Sequence, residues 1–127
     1  MDLTREDQIR ARLDDIAGPD PGEAEQALLA RLLRSFGAKT PARVDRLGEL
    51  LCGGDLEAVR DHAHGLKGSA ANIGATTLAA MFAEVEHSAR EGVLPDPGSL
   101  DRIRAEQEIV LGSVTRVAAE LGEEPDV

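Results

Sequence analysis

Between Leu100 and Leu121 the apolar residues return at alternating steps of three and four, through Leu100, Ile103, Val110, Val114, Val117 and Leu121, with Gln107 as the one polar member of the row. That spacing is the seam of a helix packed in a left-handed bundle. A strand cannot use it, because successive strand residues point to opposite faces. Gln107 is expected at a bundle end or beside a hydrogen-bond partner. The composition agrees: 42% of the residues are hydrophobic, yet Trp and Tyr are absent and Phe is confined to Phe36 and Phe82. An aliphatic core of this kind suits helix on helix better than a β-sandwich.

Four further helices are expected ahead of this one. Residues 4–17 read as a short helix capped by Thr4, with Asp7 at the third position and Ile9, Leu13 and Ile16 as a narrow stripe, ended by Gly18-Pro19. So narrow a stripe predicts a helix lying across the bundle as a lid. Asp20 is the expected cap of the next helix and Pro21 its first residue. Its stripe runs through Leu28, Leu29, Leu32 and Phe36 and resumes in phase at Val44, Leu47, Leu50 and Leu51. Pro41 predicts a kink there, although propensity alone favours a turn near Ala38 to Thr40. Cys52-Gly53-Gly54 stops that helix and Asp55 caps the third, whose stripe is Leu56, Val59, Ala63, Leu66, Ala70 and Ile73. The third ends at Asn72 to Gly74, and Thr76 or Thr77 starts a fourth with Leu78, Met81, Phe82, Val85 and Ala89 inward. Asp96-Pro97 is the expected start of the last helix.

The fold class that follows is all-α, an antiparallel up-down-up-down four-helix bundle with an additional short N-terminal helix. Residues 1–127 are expected to form a single domain: the N-terminal helix 4–17, a helical bundle over 20–121 and a frayed acidic tail at 122–127. A chain of 127 residues has no room for a kinase domain as well.

The formal charge of −10 argues against nucleic acid, which needs a basic surface. The single cysteine, Cys52, rules out an internal disulfide or a CxxC motif and is expected in or near the core. No apolar run is long enough for a membrane span and the N-terminus lacks a signal-peptide plan, so no membrane contact and a cytoplasmic location are expected. The stripes are narrow enough to be used up inside one bundle, which predicts a monomer.

The chemistry concentrates in Asp61 to Ala75. Residues three and four apart share a helix face, so His64 lies with Arg60, Asp61, Lys67, Gly68 and Ala71. His64 and Lys67 each follow a core position by one residue, about 100° around the helix, and so sit at the edge of the buried stripe. Gly68 in a helix interior costs roughly 1 kcal/mol relative to Ala. Either a partner protein lies close to that backbone, or Gly65 and Gly68 admit another helix of the chain. His62 and His87 are expected at solvated or rim positions.

The run Ala63-His64-Gly65-Leu66-Lys67-Gly68-Ser69-Ala70, followed by Ile73-Gly74-Ala75, resembles the signature of histidine phosphotransfer (HPt) domains of two-component phosphorelays. Phe36, Pro41, Leu47, Leu78 and the Val85-Glu86 pair also fall where similar domains carry such residues, and the likeness supports one long helix through Pro41. The resemblance implies that His64 is the phosphoacceptor, that Lys67 neutralises phosphoryl charge and that Glu86 orients the imidazole through Nδ1; the alternative for Glu86 is a solvated helix residue paired with Arg90 four positions on. Gly68, Ala71 and Arg60 would belong to the docking surface for receiver domains of response regulators or hybrid histidine kinases. It implies a phosphocarrier and no enzyme, with no cofactor or metal of its own, the magnesium ion coming with the receiver. Glu at position 86 resembles the phosphotransfer domains of chemotaxis-type kinases, so an ATP-fed histidine kinase domain is the alternative donor. A helical adaptor that docks receivers without phosphorylation is the other alternative. A di-iron bundle would need two Glu-x-x-His pairs, and only Glu84 to His87 has that spacing. No P-loop or nucleotide-binding glycine motif occurs.

Overall fold

The computed structural model describes residues 4–122. They form five helices, α1 (Arg5–Ala17), α2 (Glu23–Gly53), α3 (Leu56–Asn72), α4 (Thr76–Arg90) and α5 (Ser99–Glu120), with no strand among the described residues. The closest packing is between α3 and α4, which a three-residue turn joins; α2 lies against α3 and α5, and α4 and α1 each lie against α5. One continuous aliphatic core draws on all five helices, with Leu33, Val44, Leu47, Val59, Leu66 and Leu78 among its fully buried members.

The local signals work largely as their chemistry dictates. Thr4 Oγ1 accepts from the Asp7 N–H at 3.1 Å and Asp55 Oδ1 from the Ala58 N–H at 3.2 Å, so each caps its helix. The α2 helix runs unbroken through Pro41. Thr40 and Val44, on either side of that proline, are both buried, so packing holds the axis across the missing hydrogen bond.

Two helix starts differ from expectation. Asp20 and Pro21 lie outside α2, whose cap is Gly22; the Glu25 carboxylate closes back on the Gly22 N–H at 3.2 Å and does the work assigned to Asp20. The α5 helix begins at Ser99, beyond Pro97. The Asp96 carboxylate instead folds the loop, accepting from the Gly98 N–H at 3.2 Å and from Arg102 Nη2 at 3.0 Å.

Four burial expectations also change. Leu28 is 61% exposed while Leu33 is fully buried, so the inward row of α2 is Leu29, Leu33, Phe36, Thr40, Val44 and Leu47. Cys52 is exposed and not a core thiol, since it stands about 140° around the helix from Leu47. Ile16 is exposed, and Gln107 is buried with no partner for its side-chain oxygen. Of the expected acidic tail, residues 123–127 lie outside the described residues.

The α1 helix is joined to α5 by ion pairs as well as by burial. Arg5 makes a bidentate pair with the buried Glu106 of α5 at 2.7 and 2.8 Å, Arg10 Nε reaches Glu120 at 2.9 Å, and Glu6 pairs with Arg116. Ile9 and Leu13 complete the contact by burial. At its other edge α1 runs over the α3–α4 turn, where Gly74 has φ +84° and a Cβ would fall 2.6 Å from Arg12 Cβ and 2.7 Å from the Gln8 carbonyl oxygen. Gly74→Ala is therefore expected to destabilise the chain by about 2–4 kcal/mol, through both backbone strain and collision with α1. Urea unfolding checks this; a loss below about 0.5 kcal/mol, the scale of a neutral surface change, counts against the packing described.

Candidate functional site

Leu66 and Ala63 on α3 and Val85 on α4 are buried against the core, and that fixes the rotation of both helices. His64 and Lys67 on α3 then point along the α3–α4 seam, as does Glu86 on α4. Glu86 is buried, its side chain 4% exposed, whereas the His64 side chain is 66% exposed.

The carboxylate of Glu86 is a three-way junction. Oε2 lies 2.9 Å from His64 Nδ1 and 2.7 Å from Arg90 Nη2, and Oε1 lies 2.7 Å from Lys67 Nζ. The hydrogen bond from Lys67 is the main reason its pKa is lowered to about 2; burial works against this, and the hydrogen bond from His64 adds to it. Glu86 is thus an anion across the physiological range, and an ionised carboxylate can only accept. Beside it, neutral His64 carries its hydrogen on Nδ1 and keeps the Nε2 lone pair free on the solvent side. Such an imidazole is a nucleophile whose tautomer is set by a neighbour.

The other residues picked out from the sequence lie around this seam. Gly68 and Ala71 are exposed on α3, and a Cβ on Gly68 would meet nothing within 4 Å. No helix of the chain among the described residues uses that glycine, so the internal-packing explanation of Gly68 fails. Gly65 differs, since a Cβ there would stand 3.0 Å from Arg43 Nη2. Arg60 turns to its neighbour Asp61 at 3.1 Å. His62 is half-buried at the rim of the bundle, and its Nε2 donates to the Arg43 carbonyl at 2.7 Å and ties α3 to α2. His87 is exposed.

Sequence reasoning placed Glu86 beside His64 and weighed Arg90 only as an alternative partner for a solvated Glu86. The structure joins both to one buried carboxylate. It also rests the Lys67 ammonium on Glu86, a contact the sequence reading did not include. Four-residue spacing from Glu86 to Arg90 was the available signal. Among the described residues no group of three or more His, Cys, Asp or Glu is placed to hold a metal ion, and no helix is long and apolar enough to cross a membrane.

The lowered pKa of Glu86 has a sign. A carboxylate whose pKa is depressed on folding contributes stability that is present above its unfolded value near 4.5 and is lost as pH falls toward about 2. Glu86→Gln should remove that component, so its urea midpoint should fall less between pH 5 and pH 3 than that of the wild type. Identical slopes would mean that Glu86 is not held ionised by its partners.

The family model of the Hpt domain matches residues 31–119. No curated protein and no solved structure matches the chain. The matched stretch takes in α3, α4, nearly all of α5 and most of α2, and with them every residue of the His64–Glu86 junction. The chain belongs to the Hpt domain family, whose members carry phosphoryl groups on histidine in two-component signalling.

Proposed function

We propose that His64 accepts a phosphoryl group from the phosphoaspartate of one receiver domain and passes it to a second receiver, the whole chain acting as a single antiparallel bundle and as a monomer. The observation that carries this reading is the 2.9 Å contact between Nδ1 of the exposed His64 and the buried Glu86. The Nε2 lone pair forms the N–P bond as the acyl phosphate P–O bond breaks, and the receiver carboxylate leaves with the electron pair. His64 holds its Nδ1 hydrogen throughout, and Glu86 stabilises the positive charge that grows on the ring. The return step is the reverse, with imidazole as the leaving group.

Lys67 neutralises charge on the incoming phosphoryl oxygens, its ammonium lying one helical turn from His64. Arg90 is a positioning residue: it fixes Oε2 of Glu86 while Lys67 fixes Oε1, so the carboxylate cannot rotate away from Nδ1. Gly68 and Ala71 form a flat strip on which a receiver can reach the imidazole, with Arg60 at its edge. Magnesium belongs to the receiver site, and this chain supplies no cofactor. The protein carries phosphate and has no turnover of its own. Glu in place of an amide at position 86 also favours a second reading, in which an ATP-dependent histidine kinase domain is the donor; labelling by kinase and ATP, with no labelling by any phosphorylated receiver, would select it.

Wild-type chain mixed with phosphorylated receivers should acquire an acid-labile, base-stable label that His64→Gln abolishes. Glu86→Ala and Lys67→Ala should slow single-turnover transfer roughly 10–100-fold. Label on His64→Gln at the wild-type level would end the proposal. Gly68→Ala should separate stability from docking: the chain gains about 1 kcal/mol in urea unfolding, because the glycine is an exposed helix-interior residue, while the receiver concentration for half-maximal transfer rises. An unchanged half-saturation would show that the strip is not a contact surface.

A further inference from the structure

The cations nearest His64 in the sequence belong to the site already described. Lys67 and Arg90 bind the two oxygens of Glu86, and Arg60 binds Asp61. On the α2 flank of α3 stand three others: Lys39 and Arg43, one turn apart on α2, and Arg12 of α1. Among the described residues none of these three makes an ion pair with a carboxylate, although arginines elsewhere on the helices, such as Arg5, Arg10, Arg46 and Arg104, do so. The Arg12 Nε instead donates to the Asn72 carbonyl at 3.1 Å. Lys39 and Arg43 line a cavity of about 200 Å³ together with Ser35, Ser69 and Asn72.

The placement of Arg43 is built into the fold. Its carbonyl is tied to α3 by the 2.7 Å hydrogen bond from His62, and its guanidinium crosses Gly65, the residue next to His64. Any side chain at position 65 would press on it, since a Cβ would stand 3.0 Å from Nη2. Gly65 thus admits a cation to the face of α3 next to the one that carries His64, Gly68 and Ala71, about 100° around the helix from His64.

A net charge of −10 poses a problem for the reaction proposed above. A receiver brings an acyl phosphate and the carboxylates that hold its magnesium, so its reactive face is acidic. Two acidic bodies repel at long range unless the contact face is locally basic. We propose that Lys39, Arg43 and Arg12 form a basic rim beside His64 that recognises the acidic face of an incoming receiver domain and sets which receivers bind and how tightly. This rests on the phosphotransfer reading and adds to it a partner-selecting surface on α1 and α2, outside the His64–Lys67–Glu86 chemistry. Hydroxyls of Ser35 and Ser69 and the amide of Asn72 supply the neutral hydrogen-bonding groups around the two cations of the cavity.

The test uses a panel of receiver domains phosphorylated with acetyl phosphate, keeping those that label wild-type His64. Single-turnover transfer is measured against receiver concentration for the wild type, Lys39→Glu and the Lys39→Glu/Arg43→Gln double variant. Lys39 is exposed, so the single variant keeps the fold whatever the double variant does. Half-saturation should rise roughly tenfold in the double variant, and in the same direction in Lys39→Glu, with the plateau rate within about threefold of wild type. Added salt should weaken wild-type docking and weaken that of the double variant less, since two of the three rim cations are gone. Unchanged half-saturation and salt response, with His64 still labelled, would overturn the rim and leave the phosphotransfer reading standing. A lowered plateau at unchanged half-saturation would overturn it too, by moving the cations into the chemistry. A wild type that no receiver labels would bring down the phosphotransfer reading, and the rim with it.

Discussion

A carboxylate taken out of water must be paired or become neutral, and Glu86 is a buried carboxylate that stays ionised. Everything around His64 follows from that demand. Lys67 and the imidazole come from α3 and Arg90 from the next turn of α4, so the two helices cannot slide or rotate without leaving a charge unmatched. Ala63 and Ala70 on α3 and Ala89 on α4 are small and buried, and α3 and α4 are the most closely packed pair of helices. Loss of a single partner from such a junction is costly because the others cannot spread to cover for it.

The arrangement also explains why the acceptor is both rigid and accessible. One nitrogen of His64 is anchored on a buried oxygen, while the ring as a whole remains largely in solvent. Phosphoryl transfer between proteins asks for this combination, since the nucleophile must be oriented before the partner arrives and reachable when it does.

Much of this was legible in the sequence because helices convert spacing into direction. His64, Lys67 and Glu86 each follow a core residue by one position, and the structure sets all three at the edge of the buried stripe. Errors arose where a single residue's rotation mattered. Leu28 and Leu33 exchanged roles because an apolar row on α2 admits two phases, and only its neighbours on α3 and α5 decide between them. Asp20 lost its capping role to Glu25, whose longer side chain reaches back to the same turn. Cys52 sits in an apolar helical stretch and free cysteines are mostly buried, yet its angle from Leu47 points outward. The contact of Lys67 with Glu86 lay beyond spacing rules, because it depends on how α3 packs on α4, whereas that of Arg90 follows from its four-residue spacing on one helix.

Residues 4–30 lie outside the family match, yet α1 is tied to α5 by pairs that span almost the whole chain, 101 positions for Arg5–Glu106 and 110 for Arg10 with Glu120. His64 and Glu86 are only 22 apart. Loop closure costs more entropy for the distant pairs, so the local α3–α4 hairpin has the smaller barrier to pairing and the α1 clasp the larger one. The reactive centre is therefore assembled from contacts much closer in sequence than those that clasp α1 to α5. A fluctuation that frays the clasp leaves the His64–Glu86 junction in place, because none of its members lies on α1.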